Sequence, residues 1–153
     1  MDFHTIRLLT PWEPGNCCDG EPETTQYRVK LPCQLQQPES GWPTCLKRRF
    51  NLPSGLSAST RVFLRVFWKA ATLAVRLNGK ALTACDLPLN SFRTATPEHS
   101  ENQTGEIFEI TELLQTGNLI EIRMTGLAES AVHEADVPRL VELVWVSLEI
   151  AEG

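Results

Sequence analysis

The sequence predicts an all-β fold, a jelly-roll β-sandwich. Three features carry that expectation: short segments in which apolar and polar side chains alternate with period two, turn residues that separate these segments at close intervals, and the lack of any ten-residue stretch with the three-to-four spacing of an amphipathic helix. At 153 residues the chain has the length of one domain, and a domain of that size buries roughly 70% of the surface its unfolded chain exposes. The hydrophobic share of 42% and charged share of 22% fit a globular protein and neither a disordered nor a fibrous one.

Residues 24–31 open the series, with Tyr27, Val29 and Leu31 on one face and Gln26, Arg28 and Lys30 on the other. Residues 46–52 read as a second strand, with Leu46, Phe50 and Leu52 inward, Arg48 interrupting them, and Pro53-Ser54-Gly55 ending the run. Residues 61–68 are β-branched and aromatic on both sides: Val62, Leu64, Val66 and Trp68 share one face, and Phe63 and Phe67 flank Arg65 on the other, so both faces should be covered. Leu73, Val75 and Leu77 alternate next and lead into Asn78-Gly79, a pair suited to a two-residue hairpin turn, with residues 81–83 as the returning strand.

Residues 84–105 lack periodicity and have the composition of a surface loop. Order resumes at residues 107–110; Thr111 is placed to cap one helical turn over residues 111–116, seated by Leu113 and Leu114 and closed by Gly117. Leu119, Ile120, Ile122 and Met124 make another strand. The last run, residues 139–150, sets Leu140, Val144, Val146, Leu148 and Ile150 against Val141, Leu143, Trp145, Ser147 and Glu149, and its length suits a central closing strand. The whole of residues 1–153 is expected to form a single domain, with residues 1–40 as amino-terminal strands and proline-rich loops.

Charge and composition remove several classes of function. The net charge is −5, yet residues 1–97 carry 12 basic and 7 acidic side chains while residues 98–153 carry 2 and 12. Late strands lying beside early ones would pair these opposite charges. An acidic chain repels phosphates, and Lys47-Arg48-Arg49 is too short a run to reverse that, so no nucleic acid is expected. No apolar window reaches the ~18–20 residues of a membrane span, and residues 1–10 do not read as an export signal, so a cytoplasmic protein with no membrane partner is expected. Cys17, Cys18, Cys33, Cys45 and Cys85 are odd in number and lack both disulfide and zinc-knuckle spacing, which favours free thiols. The sequon at Asn102 reads as a chance occurrence in a polar loop.

Four segments in order, Lys47-Arg48-Arg49-Phe50-Asn51-Leu52-Pro53, Val62-Phe63-Leu64-Arg65, Ala74-Val75-Arg76-Leu77-Asn78-Gly79-Lys80, and Phe108-Glu109-Ile110-Thr111-Glu112-Leu113-Leu114 with Gly117-Asn118, resemble the amino-terminal sugar-binding domain of family 2 glycoside hydrolases. The resemblance covers residues 41–124, with residues 139–150 consistent with it, and implies a galactose-binding-like jelly roll. In that family the domain is an accessory to a separate catalytic barrel that holds both catalytic acids, so the resemblance implies no catalytic residue here. Residues 84–105 depart from the family, which has a glycine- and histidine-rich loop there.

The residues themselves offer few sites. Glycoside hydrolysis needs two carboxyl groups about 5–9.5 Å apart; Glu98, Glu101, Glu106, Glu109 and Glu112 cluster in sequence, but charges of this kind normally face water. His4, His99 and His133 have no metal-binding spacing, Ser54 sits in a turn, and Cys17-Cys18 lies between glycines, so neither a metal nor a cofactor is expected. Saccharide binding is the strongest positive expectation, because sugar rings stack on exposed aromatics: Trp12 and Trp42 lie in loop-like segments, and Phe92, Arg93 and His99 in the long loop, whereas Trp68 and Trp145 sit within apolar strands and are expected in the core. The expectation is therefore a non-catalytic accessory or carbohydrate-binding module. A protein-interaction module of the same fold is the alternative, and third is a stand-alone hydrolase bringing together groups such as Asp86, His99 and Glu101.

Overall fold

The computed structural model describes residues 2–16, 28–36, 44–88, 103–126 and 140–152. These residues form ten strands: β1 (Asp2–Arg7), β2 (Glu13–Asn16), β3 (Cys33–Gln36), β4 (Thr44–Asn51), β5 (Thr60–Lys69), β6 (Ala71–Leu77), β7 (Lys80–Ala81), β8 (Gln103–Glu109), β9 (Gly117–Gly126) and β10 (Leu140–Glu152). One sheet runs β1-β10-β5-β8, with β3 also on β10, and the other runs β2-β4-β9-β6-β7. Every pairing is antiparallel. The chain changes sheet at almost every connection, as a jelly roll does. No helix among the described residues is long and apolar enough to cross a membrane.

The core lies between the sheets because alternation sends one face of each strand inward. Val62, Leu64, Val66 and Trp68 of β5 meet Leu46 and Phe50 of β4, Ile120, Ile122 and Met124 of β9, and Val75 and Leu77 of β6. The outward face of β5 is buried as well, as its composition predicts: Phe63 packs with Ile107, Ala151 and Cys85 in a second cluster. Arg65, between Phe63 and Phe67, has no solvent exposure, and its guanidinium lies 2.9 Å from the equally buried Glu149 carboxylate of β10. Ser147 and Thr5 hydroxyls also donate to Glu149. Arg61 bonds Glu109, and Lys69 lies 3.5 Å from Glu142. The charge asymmetry along the chain thus becomes pairing between an early basic strand and late acidic ones.

Several residues that carry the sequence resemblance prove to be joints of the scaffold. Asn78 and Gly79 both take positive φ, 52° and 83°, which the β6–β7 turn requires. The Asn78 amide donates to Leu113 O and Asn118 Oδ1 and accepts from Leu119 N–H. Buried Asn118 in turn donates to Gln115 O and accepts from Gln115 N–H. Two asparagines therefore tie the hairpin, the turn before β9 and β9 itself into one network.

The structure departs from the expected elements in several places, among them the returning strand of the hairpin, which is Lys80–Ala81 rather than residues 81–83. Residues 24–27 lie outside the described residues, and 28–31 contribute only an isolated bridge between Val29 and Trp12. Leu52 lies beyond the end of β4 and is exposed rather than inward. Sheet pairing begins at Gln103, inside the expected loop, because residues 103–105 pair with β5. The turn at Thr111–Leu113 is a single 3₁₀ turn without a side-chain cap; the Thr111 hydroxyl instead accepts from Val62 N–H at 2.9 Å, binding the turn to β5, and Gly117 opens β9. In β10 the register with β5 shifts between Leu143 and Trp145. The extra residue there, Val144, switches the inward set from Val141 and Leu143 to Val146, Leu148 and Ile150, so one unbroken alternation does not describe this strand.

Candidate functional site

The β10 bulge creates the feature of greatest functional interest. It directs Trp145 to the outer side of its sheet, beside Phe67 in register, where the ring is half-buried and the Arg7 guanidinium lies 5.4 Å from its centroid. The expectation that Trp145 belongs to the core is therefore corrected. Around it is a cleft of about 430 Å³. Leu9, Leu31, Pro32 and Val144 give it apolar walls; Lys69, Glu142 and Gln103 supply polar groups. Leu31 N–H donates to Leu9 O at 2.8 Å, which holds two of those walls together.

This arrangement suits a small polar ligand with one apolar face. A sugar ring can lie on an aromatic side chain while its hydroxyls reach charged and amide groups at the rim. Lys69 and Glu142 are paired at 3.5 Å and partly exposed, so together they offer donors and acceptors with no net charge. The Trp145 indole nitrogen is shielded from solvent and meets no acceptor among the described residues.

Trp12 is located differently from its expected role. It has no exposed surface, and its indole N–H donates to Leu8 O at 2.7 Å, so it is a core residue with no face to offer a sugar. Its proline-containing surroundings suggested a surface loop, but the bridge to Val29 closes that segment over the core. Trp68 is buried as expected and donates to Ala71 O. Trp42, Phe92, Arg93 and His99 lie outside the described residues.

The Glu109 and Glu121 carboxylates act as structural partners. The Arg61 hydrogen bond holds the Glu109 carboxyl below its ordinary range, against a smaller opposing effect of burial. Burial works against ionisation of Glu121, but the hydrogen bond and charge of Arg123, with help from Lys47 and the Cys45 thiol, bring its carboxyl below that range too. A general acid in glycoside hydrolysis needs the opposite shift. His4 and Asp86 are exposed. No group of three or more His, Cys, Asp or Glu residues with metal-holding geometry exists among the described residues.

No protein-family model matches the chain, and no curated protein matches it. Solved structures do. β-Glucuronidase 2 of Bacteroides uniformis superposes with a TM-score of 0.67 at 17% identity, over 99% of this chain and 18% of the enzyme. For the Faecalibacterium prausnitzii β-glucuronidase the values are 0.62, 15%, 97% and 31%; for the β-D-mannosidase of Dictyoglomus thermophilum they are 0.59, 15%, 97% and 22%. The class is thus a jelly-roll sandwich built like one part of a much longer glycosidase. More narrowly, the fold is the one expected from the resemblance to family 2 glycoside hydrolases, with this chain spanning less than a third of each of these enzymes.

Proposed function

We propose that this chain is a non-catalytic accessory domain that binds a saccharide in the cleft beside Trp145. The observation that carries the proposal is the match of nearly the whole chain to a minor portion of glycosidases. The cleft supports it by combining an accessible aromatic ring, apolar walls and a neutralised charge pair. Its substrate class follows from the same likeness: hexoses or hexuronic acids of the kind released by glucuronidases and mannosidases, bound as single units or chain ends. The whole-enzyme activity of those glycosidases rests on much more chain than this one, which spans less than a third of each.

Calorimetric titration with mannose, galactose and their short oligomers, neutral sugars that carry no carboxylate, tests the reading. A dissociation constant near or below about 1 mM, the value corresponding to −4.1 kcal/mol, is expected for at least one of them and should be lost in Trp145→Ala. Unchanged binding in that variant, or turnover of an aryl glycoside by the purified chain, contradicts it.

A further inference from the structure

On the other sheet, we infer a second site, for the carboxylate or sulfate groups of an acidic saccharide, at a cationic cleft between β4 and the Arg28 segment. The cleft encloses about 180 Å³, and its lining includes Arg28, Lys47, Arg48 and Arg49 with a single carboxylate, Glu13. Lys47 lies opposite Glu121 of β9 and helps to hold that carboxyl ionised, so the excess is carried by Arg28, Arg48 and Arg49 against Glu13, two positive charges on a chain whose net charge is −5.

The strand geometry explains how the charges converge. Alternation along β4 turns Leu46 and Phe50 into the core and places Lys47 and Arg49 on the outer face. Arg48 starts on the inner face, opposite Ile120, yet turns its guanidinium out at the rim of the sheet. It donates to Thr10 O at 2.9 Å and Arg49 O at 3.0 Å, so among the described residues this cation is fixed by backbone acceptors rather than neutralised by an acid. Burial pushes its pKa down from the ordinary arginine value, and its Nε meets no acceptor among the described residues. Glu13 is opposite Lys47 in register but also serves Arg28, 3.8 Å away. Like charges side by side on a sheet destabilise it, and an anionic ligand relieves that repulsion.

Size and lining favour a saccharide over a folded partner. The volume equals about six waters at roughly 30 Å³ each, close to one pyranose unit, and Leu119 and Pro11 provide apolar surface for the ring. Arg residues match a carboxylate or sulfate with paired N–H donors. The Arg28 side chain is 70% exposed and its contact with Glu13 is long, at 3.8 Å, so a stronger anion can draw it away.

Binding of a hexagalacturonate to the intact protein at low salt, followed by calorimetry, tests the assignment. The account expects binding that weakens with added salt, falls at least tenfold in Arg28→Glu/Arg49→Glu, and survives Trp145→Ala. The methyl-esterified hexamer, offered to the unaltered protein, should bind at least tenfold more weakly. Equal binding of the esterified and free hexamers, or unaltered affinity in the charge-reversed variant, overturns it. Equal affinity for a polyglutamate of matched charge also overturns it, in favour of an acidic protein partner.

Discussion

Replacing Glu149 by leucine should unfold much of the margin by which this domain is stable. The Glu149 carboxylate and the Arg65 guanidinium lie 2.9 Å apart, and neither side chain has any exposure to solvent. Glu149→Leu leaves the arginine charge in a place water does not reach and deprives the Thr5 and Ser147 hydroxyls of their acceptor. Removing one partner of a buried pair costs about 3–5 kcal/mol, a large share of the ~5–15 kcal/mol that holds a domain together. At about 2–4 °C per kcal/mol for a chain of this size, the midpoint should fall by roughly 6–20 °C. Arg65→Leu should be comparably harmful. The double variant should be more stable than either single one, because two apolar side chains between Phe63, Phe67 and Ile107 leave no charge behind. Urea unfolding followed by tryptophan fluorescence gives all four free energies. If the double variant loses the sum of the two single losses, the pair is not coupled and the buried pairing of early and late strands is wrong.

Asn118→Ala removes an acceptor for Gln115 N–H and a donor to Gln115 O, and it strips Asn78 of one partner; because Gln115 is exposed and water can meet its groups, a loss of about 1–3 kcal/mol, that of the one part-buried Asn78 donor left unmet, is expected from denaturation. Ala70 sits at φ 62° between β5 and β6, where an alanine is strained by about 1–2 kcal/mol; Ala70→Gly should therefore leave stability unchanged or raise it by up to about 1 kcal/mol, and a clear loss would refute the turn geometry. Glu109 and Glu121 have folded pKa values below 4.5, so their contribution is complete above the unfolded value and disappears as pH falls through the folded ones. Urea midpoints should accordingly decline below about pH 4.5, and Arg61→Ala should raise the Glu109 pKa seen by carboxyl NMR. Burial, and after it the Glu142 charge, pushes the Cys33 thiol up from 9.0, so alkylation of Cys33 near pH 7 should be slower than that of a free cysteine; mass-resolved alkylation rates check this.

Most of the scaffold could be read from local chemistry. β5, β6 with its Asn78-Gly79 turn, β9 and β10 follow from alternation and turn preference, which act within a few residues. What escaped depended on distant partners. Thr111 has the composition of a cap, but the unmet Val62 N–H of β5 claims its hydroxyl. Gln103 looks like loop until β5 pairs with it. The site suffered most from this. Neither Trp12 nor Trp145 has its expected environment: a bridge to Val29 closes the first into the core, and a one-residue bulge leaves the second half-buried on the outer side of its sheet. The adjacent apolar pair Leu143-Val144 was the available sign of that bulge, since a regular alternation has no place for both. The basic cleft was visible only as Lys47-Arg48-Arg49; Arg28 joins it through tertiary packing.

The most direct test of saccharide recognition at β10 is the set of indole N–H resonances during titration with a mono- or oligosaccharide, observed by ¹⁵N-edited NMR. The account predicts that the Trp145 signal, assigned from Trp145→Phe, moves with saturation while Trp12 and Trp68, hydrogen-bonded to Leu8 O and Ala71 O inside the core, stay in place. A bound sugar that leaves the Trp145 resonance where it began would contradict it.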